Sequence, residues 1–223
     1  MIALRAYIDC WLSIAIMIVA SALAITYAGG DLPMAVHFGI DGTPNRFMPL
    51  SQGAFLFPVI LTGVTLLMIF LPQFDPRLKG VSGQMPELVS LARVLAGGLG
   101  MIHLGLLALA LHFIDGLDAI LHLSLGYIFI GTGNLLGKVR PNFFVGIRTP
   151  WTLSDDDVWR RTHRAGGWGM VIIGLAFLAG AFPGTPAVNP KILFAALAFY
   201  TLGIVGYSYV LWRARRTNGA PIE

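Results

Sequence analysis

Six stretches of the chain contain no Asp, Glu, Lys or Arg over nineteen residues or more: 10–30, 47–74, 94–114, 119–137, 165–190 and 192–212. A bilayer core of about 30 Å is crossed by about 20 helical residues, so each stretch is long enough to span. Inside lipid every backbone amide and carbonyl must be bonded within the protein, which makes helices the economical way to fill these segments. Proline lacks an amide donor and clashes with the preceding turn, and Pro72, Pro183 and Pro190 sit where spans are expected to stop. Only 12% of the residues are charged, and the mean hydropathy is +0.75. Soluble domains carry about a quarter charged residues. The expected fold is an all-α integral membrane protein with six transmembrane helices.

Charge placement sets the expected orientation. Counting six spans, Arg5, Arg77, Lys79, Arg93, Lys138, Arg140, Arg148, Arg160, Arg161, Arg164, Arg213, Arg215 and Arg216 fall on one side, and only Arg46 and Lys191 on the other. Lys and Arg accumulate in cytoplasmic loops, so both termini and the basic loops are placed in the cytoplasm. The net charge of +4 is then a consequence of topology, and direct nucleic-acid binding loses its support. The first span resembles a signal peptide. Cleavage would leave five spans and put the basic loops on the wrong side, so it is read as a retained helix. Cys10 is the sole cysteine, which excludes an intramolecular disulfide and a cysteine-built metal site, and Tyr7, Ile8 and Asp9 before it do not suit lipid attachment. No internal repeat stands out. The chain divides into residues 1–88, two helices around an outer loop at 31–51, and residues 89–223, four helices around a cytoplasmic loop at 138–164.

Four polar regions are left to carry function. The outer loop has turn-forming Gly42, Pro44 and Pro49, and its candidate recognition residues are His37 and Arg46. A solvated turn anchored by Phe38 and Phe47 and a ligand-recognition loop both fit. At the outer ends of the third and fourth spans, His112 and Asp115 are three apart, and Asp118 and His122 four apart. Such spacings share a helical face. These four are the candidates for a divalent metal, while a Gly116 turn with Asp118 at a helix N-terminus explains them without one, and no metal or cofactor is expected. His103 lies mid-membrane, where a neutral ring bonded to a neighbouring helix is preferred over a proton relay.

The stretch from Gly131 to Lys138 superficially resembles a phosphate loop but has the wrong spacing and Val139 where Ser or Thr is required. Gly133 and Gly137 read instead as a small-residue face for close helix packing, with Asn134 as a buried amide needing a partner. In the loop 138–164, Ser154 with Asp157 is a capping signal, and Asp155, Asp156 and Asp157 suit the positive end of a helix. Phe143, Phe144, Val145, Ile147 and Trp151 form an aromatic and apolar string expected to fold back on the membrane face. Arg148, Arg161 and Arg164 are left to bind lipid phosphate, pair with the aspartates or contact a protein.

The run Gly146, Ile147, Arg148, Thr149, Pro150, Trp151, Thr152, Leu153, with Gly133 and Asn134, Pro141 and Asn142 before it and Trp159, Thr162, His163 and Arg164 after it, resembles the SdpI family of bacterial multi-pass membrane proteins. Pro33, His37, Phe38, Gly42 and Pro44 resemble the N-terminal domain of unknown function that many members carry, with Asn45 standing where that pattern commonly has Asp. The resemblance implies immunity against a secreted peptide toxin and, as in the best-known member, capture of a cytoplasmic DNA-binding repressor at the membrane. The candidate contact residues are His37 and Arg46 outside, and Asn134, Asn142, Arg148, Trp151, Trp159, His163 and Arg164 inside. The alternative is an ion-coupled transporter or an intramembrane metal-dependent protein using the outer His and Asp residues. No HExxH, placeable Ser-His-Asp set or phosphate loop is present, so the chain is read as a non-enzyme.

Overall fold

The structure is a computed structural model that describes residues 5–39, 43–78, 86–182 and 190–217. Six long helices dominate these residues: α1 (Ile8–Ala28), α2 (Leu56–Phe74), α3 (Pro86–Ala110), α4 (Asp118–Leu136), α5 (Asp156–Gly180) and α6 (Pro190–Thr217). Among the described residues five helices are long and apolar enough to cross a membrane, namely Ile8–Ala28, Leu50–Phe74, Pro86–Ala110, Asp118–Leu136 and Ala195–Thr217. Their outward faces carry exposed Leu12, Ile16, Val19 and Leu23 on α1 and exposed Phe199, Leu202 and Val210 on α6. Apolar surface of that extent suits lipid.

The expected span at 165–190 is revised. Its helix, α5, begins earlier at Asp156, so its first turns are polar, and it ends at Gly180. Pro190 does not stop a helix but opens α6, where a missing amide costs nothing. Pro72 lies inside the last turn of α2, and Pro183 falls outside the described residues.

The all-α expectation is corrected at the outer loop. Strands β1 (Pro33–Phe38) and β2 (Pro44–Pro49) pair antiparallel, with Met34 opposite Met48, His37 opposite Arg46, and register irregularities around His37. Prolines at strand ends, where no ladder amide is needed, and β-favouring Val36, Phe38 and Phe47 between them account for the hairpin. The expected turn residue Gly42 lies outside the described residues. A one-turn helix, Leu50–Gly53, joins the hairpin to α2. Met34 and Leu50 are buried with Ala24, Leu106 and Leu117, so the hairpin caps the ends of α1, α3 and α4.

A second buried cluster, including Cys10, Ile14, Met17, Leu61 and Ala92, ties α1, α2 and α3 together toward the opposite, basic end. There Arg93 on α3 pairs with Asp9 on α1 at 2.7 Å. Mid-bundle, fully buried His103 places Nε2 3.2 Å from the Met17 carbonyl and 3.3 Å from Ser21 Oγ. The ring thus donates to the neighbouring helix, as the packing reading expects.

Helices α4 and α5 approach closely through glycine. A Cβ built on Gly133 would stand 2.6 Å from the Gly167 carbonyl oxygen, and one on Gly174 would stand 2.9 Å from that of Gly126. Any side chain there would force the backbones apart, so the small-residue face is a packing requirement. Asn134 is exposed, contrary to expectation, because a helix turns about 100° per residue and Gly133 is the position facing α5.

Candidate functional site

The loop between α4 and α5 is shaped by its own polar side chains. Asn142 is buried, and all its hydrogen-bonding capacity is spent locally. Its Oδ1 accepts from the amides of Phe144 (2.8 Å) and Val145 (2.7 Å), and its Nδ2 donates to the carbonyls of Arg140 (2.8 Å) and Val145 (3.0 Å). The chain then extends to Thr149, which caps the one-turn helix Pro150–Leu153 in a reciprocal box with Thr152. Thr149 Oγ1 also lies 3.1 Å from Ser208 Oγ, which fastens the loop to α6. Trp151 is half-buried and stands edge-on to Tyr209 of α6, with ring centroids 5.1 Å apart.

The start of α5 supplies the floor. Its N-cap is Asp155, one residue beyond the expected Ser154, and Asp155 Oδ1 accepts from the amides of Asp157 (2.8 Å) and Val158 (3.0 Å). Burial alone would raise the Asp155 carboxyl. The Val158 and Asp157 amides and Arg215, whose Nε donates to Oδ2 at 2.7 Å, outweigh it and hold it below the usual carboxylate value.

Trp159 is fully buried, donates Nε1–H to the Val139 carbonyl at 2.8 Å, and stacks on His163 with centroids 3.9 Å apart. His163 bridges helix and loop: Nδ1 bonds the Trp159 carbonyl at 2.8 Å, and Nε2 accepts the Ile147 amide at 2.9 Å. Those partners fix a neutral ring protonated on Nδ1. Burial pushes His163 from 6.5 down to about 4, against the weaker upward pull of the Trp159 carbonyl. Gly146 has a φ of +125°, and a Cβ there would drive into His163 Nε2, so glycine is required.

Exposed on this scaffold are Phe143, Phe144, Arg148, Arg161 and Arg164. Arg148 donates Nη1–H to the Phe143 carbonyl at 2.6 Å. The aspartates do not pair with Arg148, Arg161 or Arg164 as the sequence allowed. Asp157 pairs with Arg160 (2.6 Å) and Arg215 (3.1 Å), and Asp156 approaches Arg77 (3.5 Å). Reading the sequence also passed over Asp75, which is fully buried and accepts the Phe143 amide at 2.8 Å. The available signal was a lone carboxylate at a helix C-terminus, where the dipole disfavours negative charge.

At the hairpin end His37 and Arg46 are brought opposite each other and are both exposed. His37 Nδ1 donates to Asn45 Oδ1 at 2.6 Å, so the residue that departs from the usual pattern supports the ring. The outer His and Asp residues do not assemble. Helix α3 ends at Ala110 and His112 adopts a left-handed φ of 58°, with the Phe113 amide bonded back to the Ala108 carbonyl at 2.8 Å. His112 therefore serves as a helix C-cap, and its helical spacing with Asp115 is lost. His122 Nδ1 bonds the Asp118 backbone carbonyl at 2.7 Å rather than facing a carboxylate. Among the described residues no three His, Cys, Asp or Glu stand together as a metal site.

Residues 138–210 match the family model described as the SdpI/YfhL protein family, and residues 14–62 match DUF1648, a domain of unknown function. The chain is 27% identical over 121 residues to "Immunity protein SdpI" of Bacillus subtilis (strain 168). That stretch is 54% of this chain and 56% of the relative, so the match spans about half the length of each. No solved structure matches the chain.

Proposed function

Residues 138–210 are an SdpI/YfhL-family region in a membrane protein, and from that premise we propose that the chain acts in immunity against, or sensing of, an extracellular peptide toxin. It lies in a bacterial inner membrane as six spans with both termini in the cytoplasm, α5 serving as the span that its polar first turns disguise. The hairpin with His37 and Arg46 faces outward and meets the peptide. The loop around Asn142, Arg148, Trp151 and His163 faces inward and reports to a cytoplasmic partner, a DNA-binding repressor held at the membrane. No residue acts as a catalyst in this reading.

The observation that carries it is the split within the family's own motif. Asn142, Trp159 and His163 are consumed in building the loop, whereas Arg148 and Arg164 are exposed on it, Arg148 held by one bond to the Phe143 carbonyl with the rest of its guanidinium turned outward. In cells sensitive to an SdpC-type toxin, wild type at a fixed membrane level is expected to preserve survival and membrane potential. Arg148→Ala is expected to lose protection at unchanged abundance. Failure of the wild-type chain to protect would remove this function for that toxin, and full protection by Arg148→Ala would remove the role of that side chain.

A further inference from the structure

Two residues between the family-matched regions hold the motif loop from the side. Asp75 closes α2 and is fully buried; its Oδ2 accepts the Phe143 amide at 2.8 Å and its Oδ1 the Arg77 amide at 2.9 Å. Arg77 donates Nη2–H to the Leu153 carbonyl at 2.7 Å, reaches Asp156 at 3.5 Å, and lays its guanidinium 5.2 Å from the centre of the Phe143 ring. One three-residue segment therefore grips the loop at its start, at its end and at the first turn of α5.

The other end of α2 is tied to the hairpin with almost no intervening chain. The Leu50 amide donates to the Leu32 carbonyl at 2.8 Å and the Ser51 amide to the Gly30 carbonyl at 2.9 Å. Gly53 lies under β1, where a Cβ would stand 3.2 Å from both Met34 Sδ and Val36 Cγ1. A shift of the hairpin on its seat must displace the start of α2. A helix moves largely as a rigid element, so its far end moves too, and that end carries Asp75 and Arg77.

We propose that Asp75 and Arg77 are positioning residues that couple the outer hairpin to the conformation of the motif loop. The assignment rests on the reading above for the meaning of the signal, but its test needs no toxin.

The test uses the full chain in membrane vesicles with Phe144→Cys as reporter; Phe144 is exposed, while the native Cys10 is buried and stays silent to maleimide. Asp75→Asn and Arg77→Gln are each expected to raise the labelling rate about threefold or more, and Gly53→Val, which pushes the hairpin off its seat, to change it by about as much. The decisive comparison is Gly53→Val in the Asp75→Asn/Arg77→Gln background, where its effect is expected to vanish. A merely structural latch would leave the two effects multiplicative, because independent sites add in free energy. An undiminished Gly53→Val effect without the latch, or unchanged labelling in both latch variants, overturns the proposal. Should Gly53→Val not reach the membrane, Gly30→Ala presses on Ser51 Cβ at 3.2 Å and replaces it. An intact coupling cycle in a chain that fails to protect leaves the latch standing and removes the immunity reading; protection without the cycle does the reverse.

Discussion

Histidine is used in opposite ways at the two ends of the bundle. His163 has both ring nitrogens committed, one to its own helix and one to the loop it holds, and it touches no solvent. His37 has one nitrogen bonded to a neighbouring side chain on an exposed hairpin, opposite an exposed arginine. Burying a polar ring costs stability unless its donors and acceptors are satisfied, and His163 has both satisfied, so it is a structural element whose loss must be felt throughout the loop. An exposed ring contributes little to folding and is available for recognition. The difference teaches that membership of a motif does not by itself mark a residue as a contact: the loop motif is mostly scaffold, and only a few of its side chains project from it.

The sharpest way to break this contrast is Gly146→Ala. The new methyl meets His163 Nε2 on a backbone at φ +125°, so both the strain and the clash fall on the bond that joins loop to helix. Left-handed strain in a non-glycine residue costs about 1–3 kcal/mol, and losing the Ile147 amide's buried acceptor adds about 1–3 kcal/mol. Thermal unfolding in detergent is expected to move down by several degrees, with tryptic cleavage after Lys138 and Arg148 accelerated well over tenfold. A variant as resistant as wild type would show that the loop does not depend on this contact.

Acidification sharpens the contrast more gently. In the opened loop His163 takes up a proton below its ordinary 6.5, whereas in the closed loop burial delays protonation to about 4. Between those values the open form binds more protons, so closure is favoured fully above 6.5 and is progressively lost as the pH falls toward 4. Asp155 does not compete in this window, since its carboxyl is held below the usual carboxylate value. Protease nicking of the loop is expected to rise across that interval in wild type and to be raised but flat in His163→Phe. A flat wild-type profile would mean that the ring is not the titrating group.

Much of this architecture was legible because apolar length leaves few choices in a bilayer. The long apolar helices and the glycine face at Gly133 each follow from one physical rule applied locally. Places where the reading failed are those decided by partners far along the chain. Asp75 reads as a mere loop residue until Phe143, 68 positions later, is brought to it. Asn134 follows a packed glycine, but only the rotation of α4 against α5 reveals that it points away. His112 and Asp115 have metal-compatible spacing for a helix that in fact has already ended at Ala110. The hairpin was hidden for another reason: prolines and glycines that mark turns also bound short edge strands, and nothing local separates the two uses.

The smallest effect on stability is expected at the hairpin, and it tests the contrast from the side of function. Arg46→Ala removes a side chain that is exposed on β2, and His37→Ala removes a ring whose described polar bond is to the equally exposed Asn45. Surface substitutions of this kind change stability by about 0.5 kcal/mol or less, so the melting temperature and membrane abundance are expected to stay at wild-type values. If the hairpin recognises an extracellular peptide, the same variants lower the toxin dose at which half of the expressing cells survive, with the double variant below either single one. The readout pairs that dose with unfolding in detergent. A melting shift as large as that of Gly146→Ala would make His37 a second scaffold histidine and erase the contrast, whereas unshifted melting with lowered protection would place recognition at the end of the molecule where the side chains are left unspent.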